Sequence, residues 1–234
     1  MFAGHVGAAL AIGRAERRVN IGVLIFAALL LDAALWLFVL LGWESLTIPA
    51  DFARTHQPEF VFPYSHGLIA GLAWSVLAGA AVGIGHPGLA TARWRTAALV
   101  AGAVFSHWLL DALVHVAELP LAGADSVKLG LGLWQQMPVA LGVEALIVLA
   151  GLWLYLSGAA HLSRPRKIGL AALTLLTLVS TLIGMTIAPP PPSATAMATT
   201  SLVTIGAVSV IAGWLGRPAL RREPVSPPSV QRVR

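Results

Sequence analysis

Six long apolar runs dominate this chain, at about residues 21–43, 66–86, 97–119, 138–158, 168–188 and 199–216, separated by short polar segments. Each is long enough to cross a hydrocarbon layer of roughly 30 Å as a helix of about 20 residues. A shorter run, Met1 to Gly13, precedes them. At about 1.5 Å per residue it spans only about 20 Å, so it predicts a short or half-inserted helix. It lacks the basic start and small-residue cleavage site of a signal peptide. The pattern predicts an all-α, polytopic transmembrane helix bundle of six full spans plus the short N-terminal hydrophobic helix. Residues 1–216 read as one domain, followed by a basic, disordered cytoplasmic tail over 217–234.

Composition agrees: of 234 residues 57% are hydrophobic and only 11% charged, with a mean hydropathy of +0.82. Soluble enzyme folds are excluded. There is no cysteine, which removes disulfides, thiolate nucleophiles and zinc-thiolate sites and leaves nitrogen and oxygen as the only metal donors. The net charge of +5 does not form a basic stripe, so nucleic acid is not an expected partner; membrane lipids are. Of the 15 basic residues, 13 fall in alternate connections, in groups around Arg14, Arg93, Arg164 and Arg217. Only Arg54 and Lys128 lie on the other side. The positive-inside rule then sends the first full span outward and leaves the C-terminus cytoplasmic, as expected of a bacterial inner-membrane protein. The four prolines 189–192 read as a stiff connector between the last two spans.

Ionisable groups inside hydrocarbon are costly, and each is a functional candidate. Here they are Asp32 in the first span, His107, Asp111 and His115 in the third with Glu118 at its outer end, and Glu144 in the fourth. The apolar runs hold no Lys or Arg to pair with them. At about 100° per residue, positions 107, 111, 115 and 118 share an arc of about 80° on one helix. Two residues one turn apart can chelate one ion. Counted from the cytoplasmic ends, Asp32 and His107 come out level, and His5 reaches the same height if the N-terminal helix inserts from that side. His66 sits at the outer mouth of the second span. His5, Asp32, His66, His107 and Asp111 together suit a divalent metal, Zn²⁺ before Mn²⁺ or Fe²⁺. His115 and Glu144 are the catalytic candidates, as general base or as groups that orient a ligand. His56, His86 and His161 read as loop residues, the outer aromatics as an interfacial belt, and Gly130-Leu131-Gly132 lacks the context of a phosphate loop.

Gly4-His5, Leu30-Leu31-Asp32, Tyr64-Ser65-His66 and Ser106-His107-Trp108-Leu109-Leu110-Asp111 resemble motifs of the bacterial inner-membrane metal-dependent hydrolases, some of which are described as LexA-regulated membrane-bound hydrolases. The resemblance covers about residues 1–158. It implies a membrane-embedded hydrolase in which His5, Asp32, His66, His107 and Asp111 are metal ligands. The commoner pattern has Asp-x-Asp in the first span, where this chain carries Ala34, and a His-Arg ahead of the second, which is missing here.

The expected function is thus hydrolysis of a lipid or lipid-linked phosphoester or amide, reached from the outer half of the bilayer with a bound zinc ion. The alternative is an ion- or proton-coupled transporter using the same His/Asp/Glu cluster, which discontinuous helices around the cluster would favour. A noncatalytic scaffold, with the polar stripe as interhelical glue, is a third reading.

Overall fold

The structure, a computed structural model, describes residues 1–17, 19–85 and 90–217, with the backbone alone for Ala90. Arg18, His86 and the expected tail beyond Arg217 lie outside the described residues. The chain is a helical bundle: α1 (Phe2–Gly13), α2 (Ile21–Ala28), α3 (Leu30–Leu41), the short α4 (Phe52–Thr55), α5 (Leu68–Gly85), α6 (Ala90–Val114), α7 (Met137–Ser157), α8 (Arg164–Gly184) and α9 (Ala194–Leu215). Helices α5 to α9 are long and apolar enough to cross a membrane, and α2 with α3, if the bent pair is one span, give a sixth crossing. This is a multi-pass membrane protein.

The sixth crossing differs from the expected straight span. Helices α2 and α3 meet at Leu29 with a 55° bend, although residues 23–41 contain neither glycine nor proline. Leu29 leaves helical geometry at φ −103°, ψ 7°, and Asp32 falls in the first turn of α3 just beyond the break. Helices α6, α8 and α9 start several residues ahead of their apolar runs. Helix α6 begins at Ala90, carrying Arg93 and Arg95 on its first turns, and stops at Val114. Arg95 there donates to the Ala15 carbonyl at 2.7 Å, at the opposite end of α6 from His107.

Helix α1 is a core element. Ala3, Gly4, His5, Val6, Gly7, Ala9, Leu10 and Gly13 are buried against α7, α2, α6 and α8. Lipid tails are as apolar as Leu, so close packing rather than hydrophobic burial must hold such helices together. Small residues supply it: a Cβ added at Gly151 would lie 2.0 Å from the Gly7 carbonyl oxygen, and one at Gly7 would lie 2.7 Å from Val148 Cα. The backbones of α1 and α7 therefore touch. Helix α2 is seated on α9 by Asn20, whose amide donates to the Gly213 carbonyl at 3.0 Å while its oxygen caps Gly22 N at 2.8 Å.

Two small hairpins close one end. Strand β1 (Ser45–Thr47) pairs antiparallel with β2 (Glu59–Val61), Ser45 opposite Val61, and α4 lies in the intervening loop. Strand β3 (Leu119–Pro120) pairs with β4 (Lys128–Leu129), and a 3₁₀ turn at Leu133–Gln136 leads into α7. This is the end that the charge pattern assigns to the exterior.

Candidate metal centre

Helix α6 supplies the centre of the site, with His107 and Asp111 one turn apart so that His107 Nε2 lies 3.0 Å from Asp111 Oδ2. His66 comes from the turn before α5, its Nε2 3.2 Å from His107 Nε2 and 3.4 Å from Asp111 Oδ2. Asp32 reaches in from the broken crossing, with Oδ1 3.6 Å from His66 Nε2 and 3.7 Å from His107 Nε2. His5 lies flat on His107, and its Nε2 is 3.1 Å from Asp111 Oδ1. All five expected ligands are thus brought together, and the equal height expected of His5, Asp32 and His107 is seen as contact.

The imidazoles are oriented from behind. His107 Nδ1 is 2.7 Å from the carbonyl oxygen of Ala28, the residue before the bend, and a carbonyl can only accept. Nδ1 therefore carries a proton, and in the neutral ring Nε2 is the free nitrogen facing the cluster. His66 Nδ1 is 2.8 Å from Ser65 Oγ, whose own proton goes to Glu44 Oε2 at 2.7 Å. The hydroxyl can then only accept from His66, so in the neutral ring Nε2 is the free nitrogen. Glu44 Oε1 accepts from the backbone N–H groups of Tyr64 and Ser65 at 2.7 and 2.8 Å, so the carboxylate is clamped. Trp108 Nε1 donates to the His66 carbonyl at 3.0 Å and holds that turn against α6.

Two imidazole nitrogens and a carboxylate oxygen face one another at 3.0 to 3.4 Å, a spacing that a shared proton or a cation between them accounts for. Tetrahedral ligands at zinc distances of about 2.05 Å lie about 3.3 Å apart, so the donor set fits such an ion. Two groupings have suitable spacing, His66 with His107 and Asp111, and His5 with Asp32 and His107. Asp111 Oδ1 pairs with His5 Nε2 at 3.1 Å and with the Met1 ammonium at 3.6 Å, while His5 Nδ1 is buried without a hydrogen bond, which is costly in a bundle interior. The residues fit a divalent metal held by imidazole and carboxylate.

No protein-family model, curated protein or solved structure matches this chain.

His115 and Glu118 sit differently from the single helical stripe expected of them. Helix α6 unwinds after Val114, and Leu119 pairs with Leu129, so Glu118 is in a turn and not on the helix. The pair still meets: His115 Nδ1 is 2.6 Å from Glu118 Oε1, and Nε2 faces the cluster at 3.9 Å from Asp111 Oδ2. The segment after β4 covers the end of α6, with Leu131 N donating to the Ala112 carbonyl and Gly132 N to the His115 carbonyl. Gly130 makes that approach possible, since at φ 147° a Cβ would lie 2.1 Å from the Val116 oxygen. The glycine pair discounted as a phosphate loop is thus the cap that seats His115.

Glu144 is buried in α7, and its Oε1 accepts from Gly4 N at 2.9 Å, at the N-terminal end of α1. There it meets the positive end of that helix dipole. His56, assigned to a loop, does lie in the outer hairpin, but it is buried and faces the site. His161 is in the loop between α7 and α8, where burial and the nearby Arg17 and Lys167 hold its imidazole below the usual value. Glu44 and the role of Ser65 were absent from the sequence reading. Their signal is a buried acid and hydroxyl 21 residues apart, which only the hairpin joins.

A cavity of about 450 Å³ opens from Asp32, His66, Asp111 and His115. It runs past Phe60 and Trp134 of the outer loops and along a wall made by α8 and α9. Its volume is that of a pocket for one small ligand.

Proposed function

We propose that this chain is a membrane-embedded, zinc-dependent hydrolase of a lipid or lipid-linked phosphoester or amide, reached from the outer half of the bilayer. The observation that carries it is the convergence of His66 and His107 lone pairs with Asp32 and Asp111 at the head of the cavity. The resemblance to inner-membrane metal-dependent hydrolases points the same way, and with it go a bacterial inner-membrane location and a cytoplasmic C-terminus.

His66, His107, Asp111 and Asp32 would hold the ion, with His5 on the second oxygen of Asp111. A bound Zn²⁺ supplies Lewis acidity, polarising a carbonyl or phosphoryl oxygen and acidifying water. His115 is the proton carrier: Glu118 holds Nδ1, and Nε2 at the cavity head takes a proton from attacking water and returns it to the leaving group. Phe60, Phe62 and Trp134 pack around that imidazole and keep bulk water from it. Glu144 fixes α1, and through it His5, and it also lines the cavity.

The bend at Leu29 favours the second reading, an ion- or proton-coupled permease, because broken helices with an acid beside the break are how transporters build ion sites. Reconstitution separates the two. Liposomes of phospholipid doped with an N-acyl amide, analysed by mass spectrometry, should show cleavage products that vanish on chelation, return with zinc and are lost in His107→Ala. Intact lipids together with a proton or cation flux abolished by Asp32→Asn would establish transport instead.

A further inference from the structure

We infer that the gap between α8 and α9 is a lateral slot, which opens the cavity sideways into the outer leaflet and receives one acyl chain of a membrane lipid. This rests on the hydrolase reading above for what becomes of the lipid, and adds how the lipid arrives. The two helices are joined at the end where α8 begins. A Cβ added at Gly169 would lie 2.9 Å from Leu215 Cδ2, Arg166 donates to the Arg217 carbonyl, and its guanidinium lies over the Trp214 ring at 6.0 Å. Towards the hairpin end they part. Gly184, the last residue of α8, lines the cavity, and a Cβ there would meet nothing within 4 Å. Each helix is also anchored on a different side of the cavity, α8 on α7 and α1, and α9 on α2 and α3.

The cavity lining runs from Leu173 to Met185 on α8 and from Met197 to Val208 on α9. At about 1.5 Å per residue each stretch is about 17 Å long, against about 15 Å for half of a hydrocarbon core of roughly 30 Å. The slot thus has the depth of one leaflet, and by the orientation proposed above that leaflet is the outer one. Leu176, Ser180, Thr200 and Thr204 line the cavity and are exposed, while Thr177 and Val208 line it and are buried. Residues that face both the cavity and the bundle surface mark an opening, and beside two membrane-crossing helices the surroundings are lipid chains. The wall tolerates such a chain. Thr177, Thr181, Thr200 and Thr204 donate to carbonyls of their own helices at 2.8 to 3.0 Å, so their protons are satisfied without a ligand. Leu35 and Trp36 of α3 add apolar lining. At about 30 Å³ for a water-sized or methylene-sized group, about 450 Å³ takes one chain and not two. A slot open along its length lets one chain of a two-chain lipid enter while the other stays in the leaflet. Asp32, Asp111 and His115 line the same cavity, so a lipid held this way has its polar linkage in the compartment of the candidate metal centre. The slot reads the chain and not the bond that is cleaved.

The test uses the full chain, incubated with zinc, in phosphatidylcholine vesicles that contain a small fraction of the same lipid with a photoreactive diazirine on one acyl chain. Irradiation and tandem mass spectrometry map the adducts, and the zinc content of the same sample tests the hydrolase proposal separately. Adducts should form on the buried Thr177 and Val208 as well as on Val203, which is exposed on α9 and does not line the cavity. Ser180→Phe and Thr204→Phe, which bring a ring into the gap from either side, should lose the Thr177 and Val208 adducts and keep that on Val203. Val179→Phe, exposed on α8 outside the cavity lining, should keep all three. Adducts on Val203 without any on Thr177 or Val208 in the unmodified protein overturn the inference. So do Thr177 and Val208 adducts that persist in both the Ser180→Phe and Thr204→Phe variants. Zinc retained beside either outcome leaves the hydrolase proposal standing, whereas the expected adducts in a protein that holds no zinc support the slot and remove the hydrolase.

Discussion

The imidazoles of His5 and His107 lie face to face, 3.7 Å between centroids and 8° between planes, although one belongs to the short N-terminal helix and the other to the middle of α6. A helix that reads as short or half-inserted is therefore a wall of the site. Its placement depends on the backbone contact between Gly7 and Gly151. Gly7→Leu should force α1 off α7 and cost about 1–3 kcal/mol or more, seen as a lower melting temperature in detergent and a reduced zinc content. Gly142→Ala, on the same helix α7 but with nothing near its Cβ, should leave both unchanged.

Glu44 touches the site only through Ser65, yet it decides which nitrogen of His66 is bare. Groups that orient a metal-bound imidazole typically contribute about 10- to 100-fold in metal affinity. Ser65→Ala and Glu44→Gln should each weaken zinc binding by that order in a competition with a chromogenic chelator, while the far-UV spectrum stays helical. Wild-type affinity in both variants would remove the Glu44–Ser65–His66 relay from the account.

Glu118 has the complementary position, behind His115 rather than behind a ligand. Glu118→Gln should lower kcat by about 100-fold or more, since positioned acid–base groups contribute about 10²–10⁴, and zinc content should be unaffected. Loss of zinc in this variant would make His115 a ligand and leave the proton carrier unassigned.

Orientation can be read with introduced cysteines, because the chain has none. Asp125→Cys, exposed between β3 and β4, should react with a membrane-impermeant thiol reagent on intact cells. Ser163→Cys, exposed at the start of α8, should react only after lysis. The reverse pattern would turn the cavity mouth towards the cytoplasm.

The spans and the intramembrane acids and histidines can be read from the chain because a membrane imposes a length on apolar runs and a cost on charge within them. His107 and Asp111 follow from helical spacing, and Asp32 and His5 from counting residues upward along neighbouring helices. What local pattern does not carry is tertiary. The bend at Leu29 lies in a run with no helix breaker, yet it leaves the Ala28 carbonyl accepting from His107. Glu44 carries no mark in the sequence and joins the site only because the β1–β2 hairpin folds it over Ser65. Glu118 leaves the helical stripe because β3 pairing begins at the next residue. Glu144 reads by its depth as a general base or an orienting group, and its hydrogen bond to the backbone of α1 is one that no spacing rule relates to α7.

The account stands on the lone pairs of His66 and His107 meeting the carboxylates of Asp32 and Asp111 around a cation. Elemental analysis of the detergent-purified protein, beside a His107→Ala/Asp111→Ala double variant with the same helical spectrum, tests this directly. The expected result is near-stoichiometric zinc in the wild type and loss of it in the variant. Absence of metal from both, with added zinc neither binding nor raising the melting temperature of the wild type, would contradict it.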